Sequence, residues 1–525
     1  MICGMFNSKL ISQRLLILNA FNKYWHRPSI LLVTAALLGA MTVFGFAPFY
    51  FYCLPLITLF VLCWLLCRSQ TPFHAFCLGL CFGLGMYVAG LSWMVTTLHE
   101  FGEMPLWLAY LSTAILCLYL ASFTALATWM AAYVRALWCL PFAWGLADWL
   151  RGYIGGGFPW LTMGYTQVPG GLFSSYLPVT GVYGLSIILV GIVVTLLYAL
   201  RGTSRRRWVG ALSISVIVAL GMGLQHVGWT TKGDPIRLSL LQGNISQQTK
   251  WSVDQSKQIV LSYLDLMQQA DAEVMVLPET AFPIYLSQAM GKTKDKLMAL
   301  AFEKHADILV GMLDWQGAGE TRQKFNAVVN YGVSGLQVQH KTHLVPFGEF
   351  VPLPFLFSPI YQHWFHMPHN DFSVGQAKQL FLLGANNVAV SICYDDLFGA
   401  DLAEYAREAS YIVSVSNGAW FGNSVGLEQY LQFSQARAIE SQKMIARASN
   451  NGITAFIDKN GEVLVRAAKN KALTLNYTVD SYQGATFYSR CKDAIFYILE
   501  LIGLICIASR LISVKKNSQI NGSCV

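Results

Sequence analysis

The chain has 525 residues, 54% of them hydrophobic and only 12% charged. A water-soluble domain carries roughly 25% charged residues, so this composition excludes a wholly soluble protein. The net charge of +8 is uneven: residues 227–493 hold 22 Lys and Arg against 24 Asp and Glu, so the basic excess belongs to the apolar remainder, where it reads as a membrane-topology signal and not as a nucleic-acid surface.

In chain order, apolar runs long enough to cross a bilayer are predicted at about 29–46, 50–67, 73–98, 105–130, 136–150, 179–199, 208–226 and 494–513. The fifth is the shortest. Basic residues follow alternate spans. Lys9, Arg14, Lys23 and Arg27 precede the first, Arg68 follows the second and Arg135 the fourth. Arg201, Arg205, Arg206 and Arg207 follow the sixth, and Lys515 and Lys516 follow the last. Cytoplasmic loops concentrate Lys and Arg, which predicts both termini inside and the segment between spans seven and eight outside. Arg151 is the exception, and Asp148 is expected to pair with it at i+3. No small-residue cleavage site follows span one, which argues against a cleaved signal peptide. The loop 152–178 is too rich in Gly and Pro to span; its Phe158, Trp160, Tyr165 and Phe173 suit either a headgroup-level aromatic belt or a lipid entry.

The predicted organisation is therefore 1–226 (seven spans), 227–492 (an outer domain) and 493–525 (an eighth span and a tail). Within the outer domain, β-rich runs at 236–245, 274–280, 308–313, 326–332, 388–395, 411–417 and 453–461 alternate with helical patterns at 254–270, 288–305, 398–409 and 428–447. Alternation of this kind predicts an α/β layered domain. Only two of the twelve cysteines, Cys393 and Cys491, fall inside it, so no disulfide framework can be built there.

Reactive residues stand where strand-like runs finish. VMVLPET ends at Glu279, VAVSICYD carries Cys393, and HKTHLVPFGEFVP between them carries Lys341 and Glu349. Strand ends converge on one pocket in α/β layers. A Cys nucleophile is expected to be a thiolate favoured by a nearby cation, with Glu279 as general base. Lys341 would face the oxyanion. Glu349 would hold that ammonium, and the backbone N–H after the nucleophile, that of Tyr394, would be a second donor. Each residue type alone is more often a solvated or packing residue; the combination carries the reading.

LPETAFP, KTHLVPFGEFVP, ICYD and NGAWFG resemble the nitrilase superfamily and, more narrowly, the apolipoprotein N-acyltransferases. GFAPF, HEFGEMP, ADWLRGYIGGGFPWLTMGY and GVYGLS extend the resemblance into the membrane part. The resemblance implies a polytopic membrane domain of about eight helical spans carrying a nitrilase-like αββα sandwich. It implies a bacterial inner-membrane enzyme, its catalytic domain periplasmic. Such an enzyme moves an acyl chain from a phospholipid donor, through a Cys thioester, to the amine of a diacylated apolipoprotein. The implied triad is Glu279, Lys341 and Cys393, supported by Glu349, Tyr394 and Asp395, with Trp251, Trp160 and Trp420 as substrate contacts. No metal or cofactor is implied, and a monomer is expected. The chain departs from the family pattern at Asp395 (usually Glu), Gly418 (usually Asp) and Lys443 (usually Arg). It departs too at Leu427–Tyr430, where a Pro-x-Gln-His run is usual. Two other readings stay open: a membrane-tethered nitrilase-like amidase, and a non-catalytic lipid- or lipoprotein-binding relative.

Overall fold

The computed structural model describes residues 28–355, 358, 372–376 and 378–522. Lys9, Arg14, Lys23 and Arg27 lie outside the described residues, as do the side chains of Lys515 and Lys516.

The first half is helical: α1 (Pro28–Thr42), α2 (Leu54–Leu66), α3 (Pro72–Gly90), α4 (Leu106–Tyr133), α5 (Leu140–Arg151), α6 (Leu177–Arg201) and α7 (Ser204–Leu224). With the C-terminal helix, six of the described helices are long and apolar enough to cross a membrane, and the chain is a multi-pass membrane protein. Of the eight expected spans, α2 and α5 are the short ones, with 13 and 12 residues and a Pro in their first turn. At about 1.5 Å per residue they reach roughly 20 Å, short of a hydrocarbon core of about 30 Å. The expected third span, 73–98, stops at Gly90, and residues Met94–Phe101 form a separate irregular helical segment.

After α7 the chain enters two six-stranded sheets. The elements are β1 (Thr230–Gln242), α8 (Val253–Gln268), β2 (Val274–Val276), α9 (Lys292–Lys304), β3 (Asp307–Gln316), β4 (Gln323–Gly332) and β5 (Gln337–His340). There follow β6 (Phe381–Leu383), β7 (Asn386–Ile392), α10 (Gly399–Tyr405), β8 (Tyr411–Ser416), α11 (Gly426–Ser441), β9 (Ile445–Ser449), β10 (Ala455–Ile457), β11 (Val463–Arg466), β12 (Leu473–Gly484) and α12 (Ala494–Gly522). The sheet orders are β12-β1-β2-β3-β4-β5 and β11-β10-β9-β8-β7-β6. Strands joined through helices pair in parallel: β1 with β2, β2 with β3, β7 with β8 and β8 with β9.

Side-chain alternation sets the layers. Leu238 and Leu240 of β1 meet Val413 and Val415 of β8 between the sheets, together with Val388, Val390 and Ile392 of β7. Leu241 instead faces α8 and α9, packing with Ile259, Tyr263 and Leu297. Ala389 and Ile412 face α10 and α11. The result is a four-layer αββα sandwich. The expected helix 428–447 ends early, because Gln442 takes a left-handed conformation (φ 53°) and Ile445–Ser449 becomes an inner strand.

Helix α11 forms the seam with the membrane domain. Its buried glutamines make the contacts: Gln432 donates to the carbonyls of Tyr165 (3.1 Å) and Val168 (2.9 Å), and Gln429 donates to that of Gly90 (3.1 Å). Loop 152–178 runs along this seam. Trp160, Tyr165 and Phe173 are buried there, so the loop is a docking surface and not a free aromatic belt. Arg151, fully buried, pairs with Asp148 at 2.9 Å as expected and donates to the carbonyls of Phe158 and Trp160.

Candidate active site

Glu279 lies three residues beyond β2, Lys341 directly after β5 and Cys393 directly after β7. Both strand exits bend through backbone that L-residues seldom adopt: φ is 45° at Thr280 and 51° at Cys393. Such conformations cost of order 1–3 kcal/mol each and persist where the surroundings enforce them. On β3, Gly311 is what admits the Glu279 turn: a Cβ there would sit 2.1 Å from the Pro278 carbonyl and 2.8 Å from Glu279 Cα.

The carboxylate of Glu279 is held from three sides. Oε1 accepts from Asn326 Nδ2 (2.7 Å) and Lys341 Nζ (3.4 Å), and Oε2 accepts from the backbone N–H of Asn417 (3.0 Å). Lys341, 1% exposed, makes its shorter ion pair with Glu349 (2.8 Å). Glu349 in turn accepts from Asn326 (3.3 Å) and the Val345 N–H (2.9 Å). Burial alone would push the ammonium down. Glu349, Cys393 and Glu279 outweigh it and hold Lys341 well above the ordinary lysine value.

Cys393 is half-buried, and its thiol is pushed up to about 12, first by burial and then by Glu279, with Lys341 and the Tyr430 hydroxyl pulling the other way. Where the sequence reading expects a thiolate, burial and the two carboxylates raise the thiol more than Lys341, whose ammonium lies closer to Glu349, lowers it.

Asp395 docks the lysine loop on the nucleophile turn. Its Oδ1 accepts from Thr342 Oγ1 (2.9 Å), the His343 N–H (2.8 Å) and His343 Nδ1 (3.1 Å). Burial opposes its ionisation, but Lys378 and His343 outweigh burial and hold the carboxyl well below the usual range. His343 bridges on to Asp401 (3.1 Å) and stacks on Phe398 with centroids 3.8 Å apart. The shorter Asp side chain therefore makes a complete set of contacts here. Tyr394, buried, donates through its hydroxyl to the Gly157 carbonyl (2.5 Å), tying the nucleophile turn to the membrane-domain loop.

The three tryptophans have different settings. Trp251 is 49% exposed and Trp420 39% exposed, whereas Trp160 is buried and donates its indole N–H to Gln429 (2.8 Å). Trp251 follows Lys250, and Trp420 belongs to the turn after Asn417.

Four residues near the chemistry were not singled out from sequence. Asn326 and Asn417 bond Glu279; an Asn in or after an apolar strand gives no signal by itself. Lys250 is buried, donates to the Glu279 carbonyl (3.3 Å) and Thr280 Oγ1 (2.5 Å), and is pushed down to about 8 by burial. Its neighbour Trp251 was the visible feature. Tyr430, noted only as a departure from a motif, is the hydroxyl beside the thiol.

Comparison with known proteins agrees with this fold. Residues 38–195 match the family model of the apolipoprotein N-acyltransferase N-terminal domain, and residues 237–486 match that of carbon-nitrogen hydrolases. The apolipoprotein N-acyltransferase of Nitrosomonas europaea is 41% identical over 91% of this chain and 97% of its own length. That of Chromobacterium violaceum is 39% identical over 88% and 90%. That of Neisseria meningitidis is 31% identical over 95% and 99%. With its helical membrane half, its αββα sandwich and near-complete coverage of these relatives, the chain belongs to the apolipoprotein N-acyltransferase family.

Proposed function

We propose that the protein moves an acyl chain from a phospholipid onto Cys393 and from there to the amine of a diacylglyceryl-cysteine at the start of an apolipoprotein. The carrying observation is the buried Glu279–Lys341–Glu349 cluster beside a half-buried thiol, at the seam with the membrane domain.

In the first half-reaction Glu279 takes the thiol proton as Sγ attacks the ester carbonyl carbon. Lys341 faces the developing oxyanion, with the Tyr394 N–H as a second donor. Collapse breaks the ester C–O bond. The lysophospholipid alkoxide leaves with the proton from Glu279, and a thioester remains. In the second half, the acceptor amine attacks the thioester carbonyl, Glu279 takes the amine proton, and the released sulfur is reprotonated. Trp251, next to Lys250, and Trp420, in the turn after Asn417, are exposed and are assigned to the acyl chains, with Trp160 packed against Trp93 and Phe421. An acyl chain leaves lipid at a cost of about 0.8 kcal/mol per methylene, which favours a site opening at the bilayer surface. The alternating basic loops favour an inner-membrane protein with this domain on the periplasmic side. One chain carries the whole cluster, so a monomer suffices.

The test is to incubate the purified full-length protein with phosphatidylethanolamine and no acceptor, then add a diacylated lipopeptide. The acyl-enzyme accumulates, then discharges to give a triacylated peptide with ping-pong kinetics. Steady release of free fatty acid without acceptor would instead make it a membrane-tethered hydrolase.

A further inference from the structure

One cavity of the outer domain is separate from the catalytic cleft. It holds about 660 Å³ and is lined by Arg407, Lys443 and Arg490, with Glu408, Asn387 and Tyr482. Asn387 stands at the start of β7, whereas Cys393 follows the end of that strand, so the cavity lies at the opposite end of the sheet from the chemistry.

Its charges are unbalanced. Lys443 is 1% exposed, and its Nζ donates to the Tyr482 carbonyl (2.7 Å). Among the described residues no carboxylate pairs with Lys443 or Arg490, and burial by itself pushes Lys443 down to about 8. Glu408, the one acid on the wall, is already bonded to Arg407 (2.9 Å), and both are largely exposed, so that pair neutralises little of the field at Lys443. A buried ammonium with one carbonyl partner and no counter-ion is costly unless something anionic completes its shell.

The cavity also sits where the domain is tied to the membrane. Thr230, six residues after α7, pairs with Gly484, ten residues before α12. Tyr482, Gln483 and Gly484 line the cavity, and Arg490 lies in the short helix Phe487–Cys491 that leads into α12. Phe487 and Val227, one on each tether, are exposed apolar side chains. Cations at a bilayer surface draw anionic lipid, and guanidinium groups bind phosphate oxygens in pairs.

We propose that this cavity binds the phosphate of an anionic phospholipid headgroup at the base of the two tethers, as a lipid site separate from the catalytic cleft. Lys443 contacts the phosphate from the cavity floor, and Arg407 and Arg490 close on it from the rim. The bound lipid fixes the height of the domain over the bilayer.

The experiment is native mass spectrometry of the full-length protein exchanged from nanodiscs of phosphatidylethanolamine, with or without phosphatidylglycerol. A parallel detergent titration uses inorganic phosphate alone. Wild type is expected to retain one phosphatidylglycerol at least tenfold more strongly than phosphatidylethanolamine. The double variant R407Q/R490Q, altered only at exposed positions, should lose that preference; K443R should keep it and K443M lose it. Acylation of Cys393 in R407Q/R490Q should stay at the wild-type rate, which separates this site from the proposed reaction. Equal retention of phosphatidylglycerol by wild type and R407Q/R490Q would overturn the proposal. So would saturation by inorganic phosphate at concentrations that match the lipid.

Discussion

Cys393 and Asp396 stand three residues apart on one turn, the first in the catalytic cleft and the second in the polar layer behind it. Asp396 is fully partnered: it accepts from Ser391 (2.5 Å), Ser414 (2.7 Å), Ser434 (2.8 Å) and Arg447 (2.9 Å). Its charge has a fixed counterpart and nothing to give away. In the cleft the balance differs. Lys341 is shared between two carboxylates, the thiol is pushed up by burial and Glu279, and Glu279 is held by donors on both oxygens. The charge-matched Asp396 holds the turn still, and the cluster next to it, with one ammonium between two carboxylates, is left to react.

Substitutions can break either side of this contrast, and the largest effect is expected in the cleft. Glu279→Gln keeps the shape but removes the proton acceptor. Acylation of Cys393 should slow by about 10²–10⁴-fold while the thermal unfolding temperature barely moves. A rate within a few-fold of wild type would assign the base elsewhere.

Arg447→Met makes the opposite break. It leaves Asp396 buried without its cation, at a cost of roughly 3–5 kcal/mol of stability. Thermal unfolding should shift down clearly, and whatever folds should keep near-normal acylation. A variant with wild-type stability but no chemistry would reverse the roles given to the two regions.

Asp395→Asn tests the joint between them. The Asn can keep part of the hydrogen bonding but not the charge facing His343 and Lys378. Hydrogen bonds to charged groups contribute about 1.5–3 kcal/mol, so a loss of roughly tenfold or more in acylation rate is expected as the Lys341 loop loosens. Asp395→Glu, which keeps the carboxylate, should do less damage than Asn if the charge is what matters.

The smallest effect is a shift in pH. With its thiol pushed up to about 12 by burial and Glu279, Cys393 should alkylate slowly with iodoacetamide at pH 8–9, where free thiols with pKa near 8.5 are substantially ionised. Glu279→Gln removes a group that raises that value, so alkylation should move to lower pH. An unchanged pH dependence would mean that burial and Lys341, not the carboxylate, govern the sulfur.

Much of this was readable from the chain because the chemistry sits at strand exits. Glu279 and Cys393 each follow a β-rich apolar run, and such a run followed by a polar break is a strong local signal, whereas Lys341, after Gln337–His340, was found through KTHLVPFGEFVP. The upward push on the thiol was not readable, since it comes from burial and from the placement of Glu279 in the folded strands. Asn326 and Asn417 were invisible for the same reason: a hydrogen bond to Glu279 is a property of the folded strands. The helix α11 to β9 junction was read as one helix because IARAS carries no β-rich pattern and its inner-strand position comes from pairing with β8. β12 was missed although Leu473, Leu475, Tyr477 and Val479 alternate with Thr474, Asn476, Thr478 and Asp480, the period-two pattern of a half-buried strand. Trp160 suggested a lipid-facing ring, and only its bond to Gln429 places it in the seam.

The central claim is a fatty acyl chain carried on one sulfur. Its most direct measurement is the mass of the peptide containing Cys393 after the full-length protein has met phospholipid without acceptor. The account predicts an increase of one acyl group on that peptide, absent in Cys393→Ser. An unmodified Cys393 peptide from folded protein, or the acyl group on any other residue, would contradict it.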